Sequence, residues 1–340
     1  MSNYRIAVIP GDGIGQEVVP PALEALRAAG ARHGVAFECH EFDWGADYYF
    51  RHGRMMPPNA LEQLEKFDAI LLGAVGLLLP IRRGFDQFAN VRPAVLYEGV
   101  DSPLKNRNAG DIDMVVVREN TEGEYAQIGG FLYHHQPEEV AVQTSLFTRR
   151  GCERVIRHAF ELARKRNKKK RVASITKSNA QGYSMVLWDR AFHAVAAEFP
   201  DIETESLLVD AAAMNFVRRP HTFDVVVASN LFGDILSDLS AIVAGSIGLA
   251  ASANLDPSRR YPSMFEPVHG TAPDILGKGI ANPLATMVSA SMMLDHLGEP
   301  LAAAALERAI VQTLAARVHT PDLGGKATTR EVTDAVLQSL

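Results

Sequence analysis

Short apolar runs alternate with longer amphipathic stretches along most of the chain. Residues 5–9, 68–72, 113–117, 171–175, 206–209 and 224–228 are rich in Val, Ile and Leu and nearly continuous in hydrophobicity, which predicts strands covered on both faces. Between them, Val18, Val19, Ala22, Leu23 and Leu26 follow a helical period, as do Cys152, Val155, Ile156, Ala159, Phe160 and Ala163, with Thr148 placed to cap the second helix. Strand–helix alternation predicts an α/β fold with a largely parallel sheet. One region departs from this. Val140, Val142, Thr144 and Leu146 alternate with period two, and Gly129-Gly130 punctuates the chain just upstream, so residues 125–147 read as an antiparallel strand pair projecting from the α/β body. Residues 284–340 read as helical. With no repeat, low-complexity tract or linker, two domains would be intertwined rather than strung end to end.

The chain has 340 residues, 47 % of them apolar and 22 % charged, which excludes a disordered or collagen-like chain and is ample for a large core. Its net charge of -6 argues against a nucleic-acid partner. The one dense basic run, Asn167 to Arg171, reads as a solvated helix end. Two cysteines, Cys39 and Cys152, lack metal-ligand spacing and read as small buried side chains. The first residues run straight into a strand with no basic-then-apolar leader. The most membrane-like stretch, 236–255, contains Asp238 and lacks a sustained apolar run. A cytoplasmic enzyme with no membrane partner is expected.

Ligands of open α/β sheets bind beyond the C-terminal strand ends. Here four such ends are polar: Arg118-Glu119-Asn120 and then Tyr125; Thr176-Lys177-Ser178-Asn179; Asp210; and Ser229-Asn230 followed by Asp234 and Asp238. The two last aspartates are four residues apart, on one helix face with Cβ atoms about 6 Å apart. Their neighbours Leu231, Phe232, Ile235, Leu236 and Leu239 are apolar. A hard cation such as Mg²⁺ or Mn²⁺ suits Asp210, Asp234 and Asp238. Arg82, Arg83, Arg92 and Arg118 lie near apolar segments. Such guanidinium groups either pair with acids beside the core or, converging on a metal, receive a substrate with two carboxylates. Gly11-Asp12-Gly13-Ile14-Gly15 fails the G-x-G-x-x-G dinucleotide fingerprint and reads instead as a tight turn whose backbone closely approaches something else. The Gly, Pro and Asn density from Glu266 to Asp274 and from Gly277 to Pro283 reads as an ordered binding loop.

Three blocks together (Asn230-Leu231-Phe232-Gly233-Asp234-Ile235-Leu236-Ser237-Asp238, residues 266–274 and residues 111–125) resemble the β-hydroxyacid oxidative decarboxylases. That family comprises the isocitrate, 3-isopropylmalate, homoisocitrate and tartrate/D-malate dehydrogenases, and the likeness spans residues 6–335. Residues 43–49, 77–83 and 118–125 are most similar to its tartrate/D-malate branch. The resemblance implies an isopropylmalate-dehydrogenase-like, non-Rossmann fold. Residues 1–98 with 245–340 would bind the dinucleotide, and residues 99–244 would dimerise through the β arm. It implies that Arg82, Arg92 and Arg118 bind substrate carboxylates and that Tyr125 and Lys177 are the acid/base pair. Asp210, Asp234 and Asp238 would hold Mg²⁺ or Mn²⁺, with K⁺ as a further candidate ion. The loop containing His269, Gly270, Thr271, Ala272, Pro273, Asp274 and Asn282 would bind the adenosine half of NAD. Asp274, followed by Ile275, stands where relatives that use NADP carry a basic residue. In the family the lysine and one aspartate serve the neighbouring subunit's site, so a homodimer is implied.

The implied reaction is oxidation of a 2-hydroxy dicarboxylate, D-malate or tartrate first and 3-isopropylmalate as the alternative. A non-catalytic dimeric binding protein is the alternative of another class, opposed by the retention of every catalytic residue type. One departure stands out. Relatives carry roughly a dozen more residues between Gly73-Ala74-Val75-Gly76 and the helix bearing Arg82, on the substrate side of the cleft, whereas here Gly76 meets Leu77-Leu78-Leu79-Pro80 directly.

Overall fold

A computed structural model describes residues 2–74 and 76–340, so Val75 in the shortened connection lies outside the described residues. The chain divides into two compact units. The first comprises residues 2–87, 91–113 and 238–340, and the second residues 88–90 and 114–237.

The first unit carries the strand order Val35–Glu41, Ser2–Gly11, Ala69–Ala74, Ser263–Pro267, Ala251–Leu255. All neighbours pair in parallel except the last two, which are antiparallel. Ile6, Ala7, Val8, Ile9 and Ala69 to Leu72 are fully or almost fully buried, as continuous apolar strands covered on both faces require. The strands Val35–Glu41, Ala251–Leu255 and Ser263–Pro267 escape a reading based on apolar runs because Glu38, His40, Asn254 and Glu266 interrupt them. The C-terminal segment forms the helices Leu284–Leu297, Pro300–Ala315 and Thr329–Ser339, as its pattern predicts.

The second unit orders its parallel strands Asp113–Glu119, Val225–Ala228, Arg171–Thr176, Glu203–Leu208. Thr148 caps the helix Arg149–Arg166, its hydroxyl accepting from Gly151 N–H at 2.9 Å. The predicted strand over 206–209 is displaced. It spans Glu203–Leu208, and Val209 opens a helix, so Asp210 lies in a helical first turn rather than at a strand end. The antiparallel pair is present as Gly123–Leu132 with Val140–Leu146, irregular between Gly123 and Ile128. Residues 127–146 are exposed throughout, including Phe131, Leu132 and Val142.

The basic run and the arginine before it are tied to neighbouring strands and loops. Arg166 pairs with Asp224 at 3.0 Å, Arg171 with Glu205 at 2.8 Å, and Lys169 Nζ donates to the carbonyls of His221 and Phe223. Cys152 is buried, and burial pushes its thiol up to about 12. Cys39, expected to be buried, is only half-buried, because its strand turns alternate residues outward. No helix among the described residues is long and apolar enough to cross a membrane.

Candidate active site

A connected polar cluster belongs to the second unit. Arg118 lies next to the end of the strand Asp113–Glu119 and is only 2 % exposed. Its Nε and Nη2 donate to Asn230 Oδ1 at 3.0 and 2.7 Å, while Nη1 pairs with Asp234 Oδ1. Tyr125 donates its hydroxyl proton to the other oxygen of Asp234 at 3.0 Å, and the guanidinium lies 5.4 Å from the centre of the phenol ring. Glycine at 233 permits this approach: a Cβ there would stand 2.6 Å from Arg118 Cβ. Burial and the charge of Asp234 push the Tyr125 phenol above its usual value, which keeps it protonated at neutral pH.

The acidic residues of the 118–125 block hold this cluster together. Glu124 accepts from Ser229 Oγ at 2.9 Å and from Leu231 N–H at 3.1 Å, placing a carboxylate at the start of the helix Asn230–Val243, where free N–H groups favour it. Asn230 Nδ2 donates to the Glu122 carbonyl at 2.9 Å. Glu119 is buried and accepts from Thr121 N–H, Thr121 Oγ1 and Glu122 N–H. Burial outweighs those bonds and pushes its carboxyl up. Asn230, Glu124 and Glu119 are thus part of the site although the sequence alone assigns them no role. Their signal was present as polar residues flanking apolar strand ends.

Lys177 forms a separate pair in the same unit, its Nζ 2.6 Å from Asp210 Oδ1. The lysine's hydrogen bond holds the Asp210 carboxyl below the usual carboxylate range.

In the first unit, Arg82 and Glu266 form an ion pair at 2.8 Å with side chains 4 % and 3 % exposed. Asn254 Nδ2 supplies Glu266 with a second donor at 2.9 Å. Arg92, nearly buried, reaches the exposed Asp238 at 3.1 Å. The glycine turn approaches the 266–283 loop: Ile14 N–H donates to the Thr271 carbonyl at 2.9 Å, and a Cβ on Gly13 would overlap that carbonyl. In the loop, Ala272 adopts a positive φ of 39°, while Gly270, Pro273 and Asp274 are exposed. His269 Nδ1 lies 3.1 Å from the Gly270 carbonyl, and its buried Nε2 has no partner among the described residues. Burial holds this imidazole below its ordinary value, hence neutral. Asn282 is engaged at both ends, donating to Asp322 at 3.1 Å and accepting from Leu284 N–H at 3.0 Å.

Each aspartate proposed for a cation faces a basic side chain: Asp210 faces Lys177, Asp234 faces Arg118 and Asp238 faces Arg92. Ionised carboxylates of this kind are hard oxygen donors that fit Mg²⁺ or Mn²⁺. They do not form one ligand group within this chain. Among the described residues, the single set of three such side chains with ligand atoms within 4.8 Å is His134, His135 and Glu139.

A mixed, largely parallel α/β sheet with an antiparallel arm, arginines set against carboxylates and a phenol, and a Gly-Pro loop in place of a Rossmann fingerprint define a dehydrogenase of the non-Rossmann kind. The chain belongs to the isocitrate/isopropylmalate dehydrogenase family, whose sequence profile it matches over residues 5–336. It is 48 % identical to the tartrate dehydrogenase/decarboxylase of Pseudomonas putida and 48 % identical to the decarboxylating D-malate dehydrogenase of Escherichia coli, covering 99 % of this chain and 98 % of each relative. Those alignments run over 358 and 355 positions against 340 residues here, so both relatives carry residues that this chain lacks. The crystal structure of isocitrate dehydrogenase from Methylococcus capsulatus superposes with a TM-score of 0.89 at 35 % identity, covering 99 % of both chains.

Proposed function

We propose that the protein catalyses NAD-dependent oxidation, with decarboxylation, of a 2-hydroxy dicarboxylate in the presence of Mg²⁺ or Mn²⁺, with D-malate or tartrate as substrate. The observation that carries this reading is the Arg118–Asp234–Tyr125 cluster, which sets a guanidinium fork, a carboxylate and a protonated phenol within hydrogen-bond reach of one another. Arg92, Arg118 and Arg82 supply forks for the substrate carboxylates. Lys177 accepts the hydroxyl proton, and the Tyr125 hydroxyl returns one to carbon after decarboxylation. Asp210, Asp234 and Asp238 would hold the metal, which would supply Lewis-acid polarisation of the substrate oxygen, and NAD would supply the hydride acceptor. Among the described residues, Asp210, Asp234 and Asp238 are not a set of ligand atoms within 4.8 Å of one another, which supports a homodimer in which each subunit completes the other's site through Lys177 and Asp210. The exposed apolar arm supports the same assembly. The test is a panel of D-malate, tartrate, 3-isopropylmalate and isocitrate with NAD⁺ and Mn²⁺, followed by NADH absorbance. No turnover of any of them removes the assignment.

Asp274 is exposed on the 266–283 loop, where a carboxylate accepts from ribose hydroxyls and repels a 2′-phosphate. NAD is expected to be preferred over NADP by at least about tenfold in kcat/KM, equivalent to about 1.4 kcal/mol. Asp274→Lys is expected to erase that preference. An unchanged ratio assigns the choice elsewhere.

Asn230→Ala removes the acceptor that two Arg118 donors share and leaves the Glu122 carbonyl without its donor. Buried polar groups left unpaired cost about 1–3 kcal/mol. Steady-state kinetics are expected to show KM for the dicarboxylate raised roughly tenfold, with KM for NAD unchanged. Equal effects on both would mean general loosening of the fold.

A further inference from the structure

We propose that the tip of the β arm is a binding site for a borderline transition-metal ion of the Zn²⁺, Ni²⁺, Cu²⁺ or Co²⁺ class, built from His134, His135 and Glu139. The three residues lie in the turn between the strands Gly123–Leu132 and Val140–Leu146 and belong to neither the arginine–carboxylate cluster nor the dinucleotide loop. Each offers a ligand atom within 4.8 Å of the other two, the single such grouping among the described residues.

Adjacent residues of an extended chain point to opposite sides, so two neighbouring imidazoles do not ordinarily converge. Here the backbone overrides that rule. Tyr133 and His135 adopt positive φ of 52° and 65°, a conformation unfavourable for side chains other than glycine. It brings the two rings together face to face, with centroids 3.8 Å apart and planes within 21°, so that a shared ion is reached when one imidazole turns out of the stack to aim its in-plane nitrogen beside the other. Phe131 extends the stack beneath His134 at 4.6 Å and 10°.

Glu139 returns to this pair from five residues on. Its Oε1 lies 3.4 Å from His134 Nε2 and accepts weakly from His135 N–H at 3.3 Å. Charge-assisted hydrogen bonds are ordinarily about 2.7–2.9 Å long, so the imidazole–carboxylate separation is long for a direct bond. It matches the edge of a tetrahedron of ligands about 2.0–2.1 Å from a central ion, which is about 3.4 Å. Two imidazoles and one carboxylate with solvent on the remaining side form a three-ligand site with an open position for water. Imidazole donors favour the borderline ions over Mg²⁺ and Mn²⁺, so this site and the carboxylates of the active site select different metals.

The full-length enzyme, freed of metal and then held in excess Mg²⁺ to occupy oxygen-only sites, is titrated with Co²⁺ while its visible d–d absorption is followed. One Co²⁺ per chain is expected to bind with a spectrum of mixed nitrogen and oxygen ligation, and Zn²⁺ is expected to displace it. His134→Ala, His135→Ala and Glu139→Gln are each expected to weaken binding at least tenfold, with circular dichroism unchanged. Imidazole proton resonances of His134 and His135 that broaden on Co²⁺ addition give a second reading on the unmodified protein. Full Co²⁺ affinity in the His134→Ala/His135→Ala protein, or absence of binding to the wild type, overturns the proposal.

Discussion

Lys177→Met is expected to lower kcat by about 10²–10⁴-fold, the usual worth of a positioned acid or base, with the melting temperature unchanged. The lysine touches Asp210 at a partly exposed position and packs in no core, so its loss is chemical rather than structural. Lys177→Arg should not restore the rate, because a guanidinium remains charged and cannot accept a proton. Tyr125→Phe, which removes the phenol that faces Asp234, should be comparably impaired. If each site draws its tyrosine from one subunit and its lysine from the other, mixed dimers of these two inactive proteins contain one intact site in two. Refolding an equal mixture should then recover roughly a quarter of wild-type activity. Recovery of none, from a mixture shown to exchange subunits, means that both residues act within one chain.

The second large effect concerns Arg82 and Glu266. Both side chains are almost fully buried and pair at 2.8 Å. Removing one partner strands a charge in the interior, which costs about 3–5 kcal/mol. Arg82→Met and Glu266→Gln are each expected to lower the melting temperature by roughly 5–10 °C. The double replacement should recover much of the loss, since neither charge is then left alone. The same experiment separates two roles for Arg82. A protein that melts as the wild type does but shows a raised KM for dicarboxylate uses this guanidinium on substrate. One that melts early with KM little changed uses it to tie the helix Leu78–Gly84 to the strand Ser263–Pro267. That tie matters here because the connection before this helix is short, with Leu77 buried only one residue after Gly76.

Much of the architecture was legible in the chain because burial leaves a periodic trace. Continuous Val/Ile/Leu runs marked strands covered on both faces, alternation at Val140, Val142 and Thr144 marked the arm, and Thr148 marked a helix start. The family blocks likewise are contiguous, so their residue types and spacing are visible without a fold. Strands interrupted by Glu38, Asn254 and Glu266 were invisible to that reading: Glu38 faces solvent, whereas Asn254 and Glu266 are buried through a bond to each other and Glu266's pair with Arg82, 184 residues away.

What the sequence by itself determined is therefore the α/β class, the antiparallel arm, the family and the residue types of the site: periodicity and motif are local properties. Which acid each cation holds was decided only by the tertiary structure. Arg82 meets Glu266 across 184 residues, and Arg118 meets Asn230 and Asp234 across 112 and 116. The glycine turn found its close neighbour in Thr271 in the same way. These partners are set by strand order and register between distant segments, and a charge in a buried position takes whichever opposite charge that register delivers. Local pattern carries no record of that choice.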